Sequence, residues 1–215
     1  MAIDKITLQN VRLSFPKLIE PSAAAQGAAP KFSADFILDP KHPDLAKFMA
    51  EVGKLAVESW KDKASAILGM VQNERKLRCY GQGSEKVNGK TFLPYDGYGD
   101  GMLYISANSN ADRPPIMVRP NGVPVEASNT IERIDIARKL YGGCFVNAVV
   151  RPWAQDNQFG KAIRCELIAL QFLKDGVPFG EGSADVTGMF GAVVTDPIQQ
   201  SAPASQFPGL PGFLS

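Results

Sequence analysis

The chain has 215 residues, of which 45% are hydrophobic and 21% charged, enough to bury one sizeable core and too apolar for a disordered protein. No run approaches the roughly 18 apolar residues of a membrane span, and the lack of a charged-then-apolar leader predicts a cytoplasmic protein. The net charge of +1 divides unevenly: residues 175–215 contain Asp175, Glu181, Asp185 and Asp196 but no Lys or Arg, a balance of −4 against +5 for the first 174 residues. A basic body with an acidic tail points to a polyanionic partner.

Residues 3–15 alternate apolar and polar side chains and read as a strand, with a change of phase at Gln9-Asn10 that predicts a bulge. Residues 16–30, with three prolines and many alanines, read as a loop, and KFSADFIL at 31–38 as a second strand. From Asp44 to about Ala66 the period becomes helical, with Leu45, Phe48, Met49, Val52, Leu55, Ala56 and Trp60 on one stripe. Pro43 suits the first turn, and His42 beside it suits a capping role. Further strands are expected at 76–80, 102–109, 143–153 and 161–173, the last two joined as a hairpin through AQDNQFG. Residues 81–101 are glycine-rich, and 113–129 are irregular.

Strands with one substantial helix exclude a doubly wound parallel sheet, which needs the two to alternate. The pattern predicts a mainly β protein: an OB-fold-like barrel of five or six antiparallel strands over residues 1–185, followed by a flexible Pro/Gly/Ala-rich tail at 186–215.

Several chemistries fail on spacing. Cys79, Cys144 and Cys165 lie far apart in apolar runs and form no CxxC, so neither a disulfide framework nor a zinc site is expected. SEKVNGKT at 84–91 resembles a phosphate loop, but the FLPYDGYGDG that follows cannot open the helix whose amides would meet the phosphates. Asp96–Gly101 lacks the ligands of a calcium loop. No catalytic motif is present, so the chain reads as a non-enzyme that needs no cofactor.

Binders of single-stranded nucleic acid combine a positive groove with aromatic faces on which bases stack. Two stretches supply both. Lys76, Arg78, Tyr80, Lys86, Lys90, Phe92, Tyr95 and Tyr98 lie around the glycine-rich segment, and Arg151, Trp153, Phe159, Lys161 and Arg164 surround the hairpin turn. The competing assignment for every aromatic is ordinary packing. Trp60 and Phe145 are given to the core, whereas Trp153, after Pro152 and before a polar turn, is the leading stacking platform.

The order of segments NVRLSFPKL, an Ala- and Lys-rich helix, ADRPPIMV, NGVPV, YGGCFVNAVVRPW and IALQFLKDGVPFG resembles a family of bacteriophage single-stranded-DNA-binding proteins built on an OB-fold. The resemblance spans most of residues 3–180. It implies sequence-independent binding of single-stranded DNA during replication, recombination or repair. It also implies an acidic C-terminal tail that recruits replication or recombination proteins and competes with DNA. The tail here ends Gly212-Phe213-Leu214-Ser215 without a terminal acidic cluster. Exposed strand edges could pair two chains into a homodimer. The rival readings are a metal-dependent nucleic-acid-processing enzyme and a virion or assembly protein.

Overall fold

A computed structural model describes residues 5–23, 25–99 and 101–180; the expected boundary at 185 and the tail beyond it lie outside the described residues. The first alternating run forms β1 (Ile6–Ser22) and the second β2 (Lys31–Leu38). β1 ends seven residues beyond its alternation, continuing through Pro16 and Pro21 into what read as a loop, because bulges let the strand run on. Register shifts fall between Leu8 and Val11, as the phase change predicts, and again between Ser14 and Lys17 and between Lys17 and Ser22.

The helical stripe forms α1 (Pro43–Trp60), then a single 3-10 turn, then α2 (Ala64–Asn73). Lys61 at φ 51 interrupts the helix, so the expected single helix to Ala66 is two. His42 caps α1: its Nδ1 accepts from the Asp44 amide at 3.2 Å, and its Nε2 lies 3.0 Å from the carbonyl oxygen of Gln9. Phe48, Val52, Leu55, Ala56 and Trp60 are buried against β1 and the later strand Phe145–Asn157.

The strand expected at 76–80 is a 3-10 turn at Arg75–Leu77 followed by a short β3 (Tyr80–Gln82). β4 (Leu103–Asn110), β5 (Ile116–Val118) and α3 (Thr130–Arg138) follow, and β6 (Phe145–Asn157) and β7 (Gly160–Lys174) form the expected hairpin with a tighter turn. α3 escaped sequence reading because its apolar residues form no stripe. It starts instead on an Asn129 side-chain cap, with Glu132 held by Arg119.

The sheet order is β3-β4-β2-β1-β6-β7-β5, with β4 also paired to β7. That pairing is parallel, at Asn108 and Glu166, and closes β1, β2, β4, β7 and β6 into a ring. Five strands closed in this order make the Greek-key barrel of the OB type; closure is parallel at one seam and antiparallel elsewhere. Interior positions alternate along every strand: Leu8, Val11 and Leu13, then Ala34, Phe36 and Leu38, Ile105 and Ala107, Val146, Ala148 and Val150, and Ile163, Cys165 and Leu167. The three cysteines are free and buried. Among the described residues no helix is long and apolar enough to cross a membrane.

After β7 the chain runs back over the barrel. Arg12 Nη2 donates to the Val177 carbonyl at 2.7 Å, and the Phe179 amide donates to Gly142 at 2.8 Å. Gly143, at φ 107, makes this approach workable, because a Cβ there would lie 2.2 Å from the Val177 oxygen. Phe145 is not a core residue as expected. It sits half-exposed on the outer wall, between the Arg12 guanidinium at 5.6 Å and the Lys174 ammonium at 4.7 Å.

Candidate nucleic-acid interface

Alternation that sends Phe32, Ala34 and Phe36 inward sends Lys31, Ser33 and Asp35 outward. Across the β2–β4 ladder these face Asn110, Asn108 and Ser106. On the other side Ser14 pairs with Asp35, Lys17 with Ser33 and Ser22 with Lys31. The outer wall therefore carries rows of polar side chains, and the two halves of that wall have different fates.

The half around Asp35 is covered. The glycine-rich segment folds across it, and Asp35 Oδ2 accepts from Lys86 Nζ at 2.7 Å and from the Tyr98 hydroxyl at 2.8 Å. Tyr98 is 0% exposed and packs with Tyr104 and Ile37. Burial, and then the charge of Asp35, push its phenol far above the ordinary range. A base cannot reach Tyr98, and Lys86 neutralises an internal carboxylate. Both expected DNA contacts are structural instead. Tyr80 is likewise buried, edge-on to Phe48 with centroids 6.1 Å apart. Arg78 donates to Glu85 at 2.9 Å, to the Gln72 carbonyl at 3.0 Å and to the Tyr80 carbonyl at 2.5 Å. Its bond to Glu85 raises its pKa. On Glu85 burial acts upward, but Arg78, the Gln82 amide and Arg75 together outweigh it and the carboxyl titrates below its usual range. The alternating chemistry of this stretch is that of a polar lid.

The segment SEKVNGKT opens no helix. Val87 and Pro94 bridge, so residues 88–93 form a loop tip that presents exposed Lys90 and Phe92. Tyr95 is half-buried, edge-on to Phe15 at 4.9 Å.

The half of the wall beyond Ser106 is open. A groove of about 440 Å³ is lined by Lys31, Asn108, Ser109, Asn110, Arg113, Arg151, Trp153 and Glu166. It lies where β4 and β7 touch at a single bridge, so the closure seam is its floor. Trp153 is 40% exposed, opposite Arg164 on the hairpin. Arg164 donates to Gln155 at 3.1 Å and to the Lys76 carbonyl at 2.8 Å, which ties the hairpin base to the turn bearing exposed Lys76. Phe159 stands 79% exposed at the hairpin tip. Arg151 is paired with Glu166 and Lys161 with Asp156, so each brings less net charge than its type suggests. Lys31 and Arg113, by contrast, make no ion pair or side-chain hydrogen bond among the described residues.

The structure thus brings together Lys76, Arg151, Trp153, Phe159 and Lys161 and separates them from Lys90 and Tyr95. Lys31, Asn108, Asn110 and Arg113 escaped sequence reading as a site. The signal was present in the polar outward members of KFSADFIL and ISANSN, but it becomes a surface only when β2 and β4 pair. In OB barrels the second and third strands, with the first–second and fourth–fifth loops, form the oligonucleotide-binding face. Here those elements are β2, β4, residues 23–30 and the β6–β7 hairpin. No cluster of metal-ligating side chains occurs among the described residues.

Comparison with known proteins points the same way. A family model described as Enterobacter phage Enc34, ssDNA-binding protein, matches residues 4–197. Protein p50 of Acyrthosiphon pisum secondary endosymbiont phage 1 is 35% identical over 185 residues, covering 85% of this chain and 90% of its own. The single-stranded DNA-binding protein from bacteriophage Enc34 in complex with ssDNA superposes with a TM-score of 0.61 at 25% identity, over 82% of this chain and 89% of its own. The bacteriophage T7 single-stranded DNA-binding protein gp2.5 superposes with a TM-score of 0.50 over 93% of this chain and 100% of its own, at 11% identity, a likeness of fold.

Proposed function

The chain belongs to the family of the Enterobacter phage Enc34 ssDNA-binding protein, and from that premise we propose that it coats transient single-stranded DNA, without sequence preference, during phage replication, recombination or repair. The observation that carries this reading is the open groove, with an exposed tryptophan on one wall and, beside it, Lys31 and Arg113, which make no ion pair among the described residues. Phosphates are attracted by the two cations, and the indole offers a face that any base can use. The asparagine rows supply donors and acceptors to sugar and backbone oxygens.

No nucleotide is consumed in this scheme. A protein that binds the unpaired strand and not the duplex shifts the equilibrium towards the unpaired form by mass action. Duplex DNA buries its base faces in its own stack, so it cannot use Trp153. The test is titration of fluorescent oligo-dT and of a matching duplex, with and without magnesium. Tight, magnesium-independent binding to the single strand alone is expected. Equal affinity for duplex would overturn the reading, as would cleavage products with magnesium.

A further inference from the structure

A second aromatic site lies on the same outer wall, beyond the lid. Phe15 sits in the β1 bulge between the Ser14↔Asp35 and Lys17↔Ser33 pairs. Its φ is 46°, a left-handed conformation that is a genuine outlier for a bulky side chain. Such strain persists only where the surroundings enforce it, and it gathers at ligand sites. The surroundings here are aromatic. Tyr95 holds the ring edge-on at 4.9 Å, and Tyr98 lies nearly parallel behind it at 5.9 Å. Tyr98 is itself fixed by its hydroxyl bond to Asp35. Despite these neighbours Phe15 remains 44% exposed. It looks into a groove of about 680 Å³ whose apolar walls are Leu93, Pro94, Tyr95 and Phe179, with Asn88 and Thr91 at its rim.

An exposed aromatic held rigid from behind has lost its freedom before any ligand arrives, which is what a stacking platform requires. The two grooves share no lining residue, but strand register links them. Lys17, two residues from Phe15, is exposed and sits in register with Ser33 and through it with Asn108, which lines the Trp153 groove. A strand that crosses β4 and β2 past Lys31 meets Lys17 and then Phe15. We propose that Phe15, backed by Tyr95 and Tyr98, is a second base-stacking station for the same DNA strand, at the opposite end of its path from Trp153. The proposal rests on the single-stranded-DNA reading and extends it: the bound strand spans the outer wall from the hairpin to the lid.

Ultraviolet cross-linking of the full-length wild-type chain to oligo-dT of about 16 nucleotides, near the upper end of OB-fold site sizes, followed by peptide mass spectrometry, tests it without a variant. Cross-links at both Trp153 and the Phe15 or Tyr95 peptides are expected. In parallel, Phe15→Leu keeps the apolar volume and removes the stacking face. It should weaken binding to that oligonucleotide about 5- to 100-fold at unchanged thermal stability, and Phe15→Trp should retain wild-type affinity. Cross-links at Trp153 alone, with unaltered binding by Phe15→Leu, would overturn the second station and leave the function standing. Failure of the wild-type chain to bind any oligo-dT would instead remove the function. A Phe15→Leu defect that disappears when residues 181–215 are deleted would assign the groove to the chain's own tail and overturn the proposal.

Discussion

Trp153 and Tyr98 are both aromatic residues among polar and glycine neighbours, yet they occupy opposite environments. Trp153 ends the buried alternation of β6 and leans into a groove, 40% exposed, whereas Tyr98 closes a lid with its hydroxyl on Asp35. Substitutions separate the two roles. Trp153→Ala should weaken binding to oligo-dT about 5- to 100-fold, the range expected for one lost stack, with the melting temperature within a few degrees of wild type. Tyr98→Phe should do the reverse. Removing a buried hydrogen bond to a charged acceptor costs about 1.5–3 kcal/mol, or roughly 5–10 °C in Tm for a chain of this size, while the Trp153 groove, which Tyr98 does not line, is left intact, so any smaller loss of affinity comes from the Phe15 station that Tyr98 backs. Calorimetry and titration on the same preparations check both, and a Trp153→Ala protein that loses stability but not affinity would move Trp153 into the core.

Among the elements, α1 and the hairpin show how local chemistry fixes position. Asp44 stands in the first turn of α1, accepts from Lys47 Nζ at 2.8 Å and from the Gln9 amide at 2.9 Å, and so pins the helix to the β1 bulge. Burial acts to raise its pKa, but Lys47, the Gln9 amide and His42 together outweigh it and the net shift is downward. A carboxylate whose pKa is depressed on folding stabilises fully above its unfolded value, near about 4, and that contribution disappears as pH falls through the lower folded value. Asp44→Asn should therefore be less stable than wild type at neutral pH, and the difference should shrink below about pH 4. Thermal melts across that range decide it, since a constant difference would mean that Asp44 acts through shape alone. The hairpin was legible in the sequence because two strong apolar runs flank a polar turn. α3 and the closure of β4 on β7 were not, since neither has a periodic signature of its own.

At the scale of the whole molecule the charge is modest and unevenly used. Of the basic residues near the groove, Arg151 and Lys161 are already paired with acids, whereas Lys31 and Arg113, which line it, and exposed Lys76 beside it make no ion pair among the described residues and are left to meet phosphates. Arg113→Ala should then lower the slope of log affinity against log salt by about 0.7, one phosphate contact on a single strand, and weaken binding alike for all sequences. An unchanged slope would mean that Arg113 lies off the DNA path. Deleting residues 186–215 removes Asp196 and no basic side chain. If the acidic tail competes with DNA, the truncated chain binds more tightly at low salt and the gain fades as salt rises; equal affinity at every salt concentration would exclude competition.

The sequence by itself determined the alternation of β1 and β2, the apolar stripe of α1, the β6–β7 hairpin, the burial of the cysteines and of Trp60, and the family, because burial period and segment order are local properties of the chain. It marked Trp153 by its local neighbours, Pro152 before it and a polar turn after it. The division of one outer wall into a covered half and an open half was decided only in three dimensions. Lys86 and Tyr98 read as DNA contacts until Asp35, more than fifty residues away in the chain, is brought beneath them. Lys31 and Arg113 have no assignment in the sequence and join a surface only when β2 and β4 pair and β7 closes the ring beside them. A basic or aromatic side chain states what it can bind, and the partner that reaches it first, an internal carboxylate or a phosphate, is chosen by the fold.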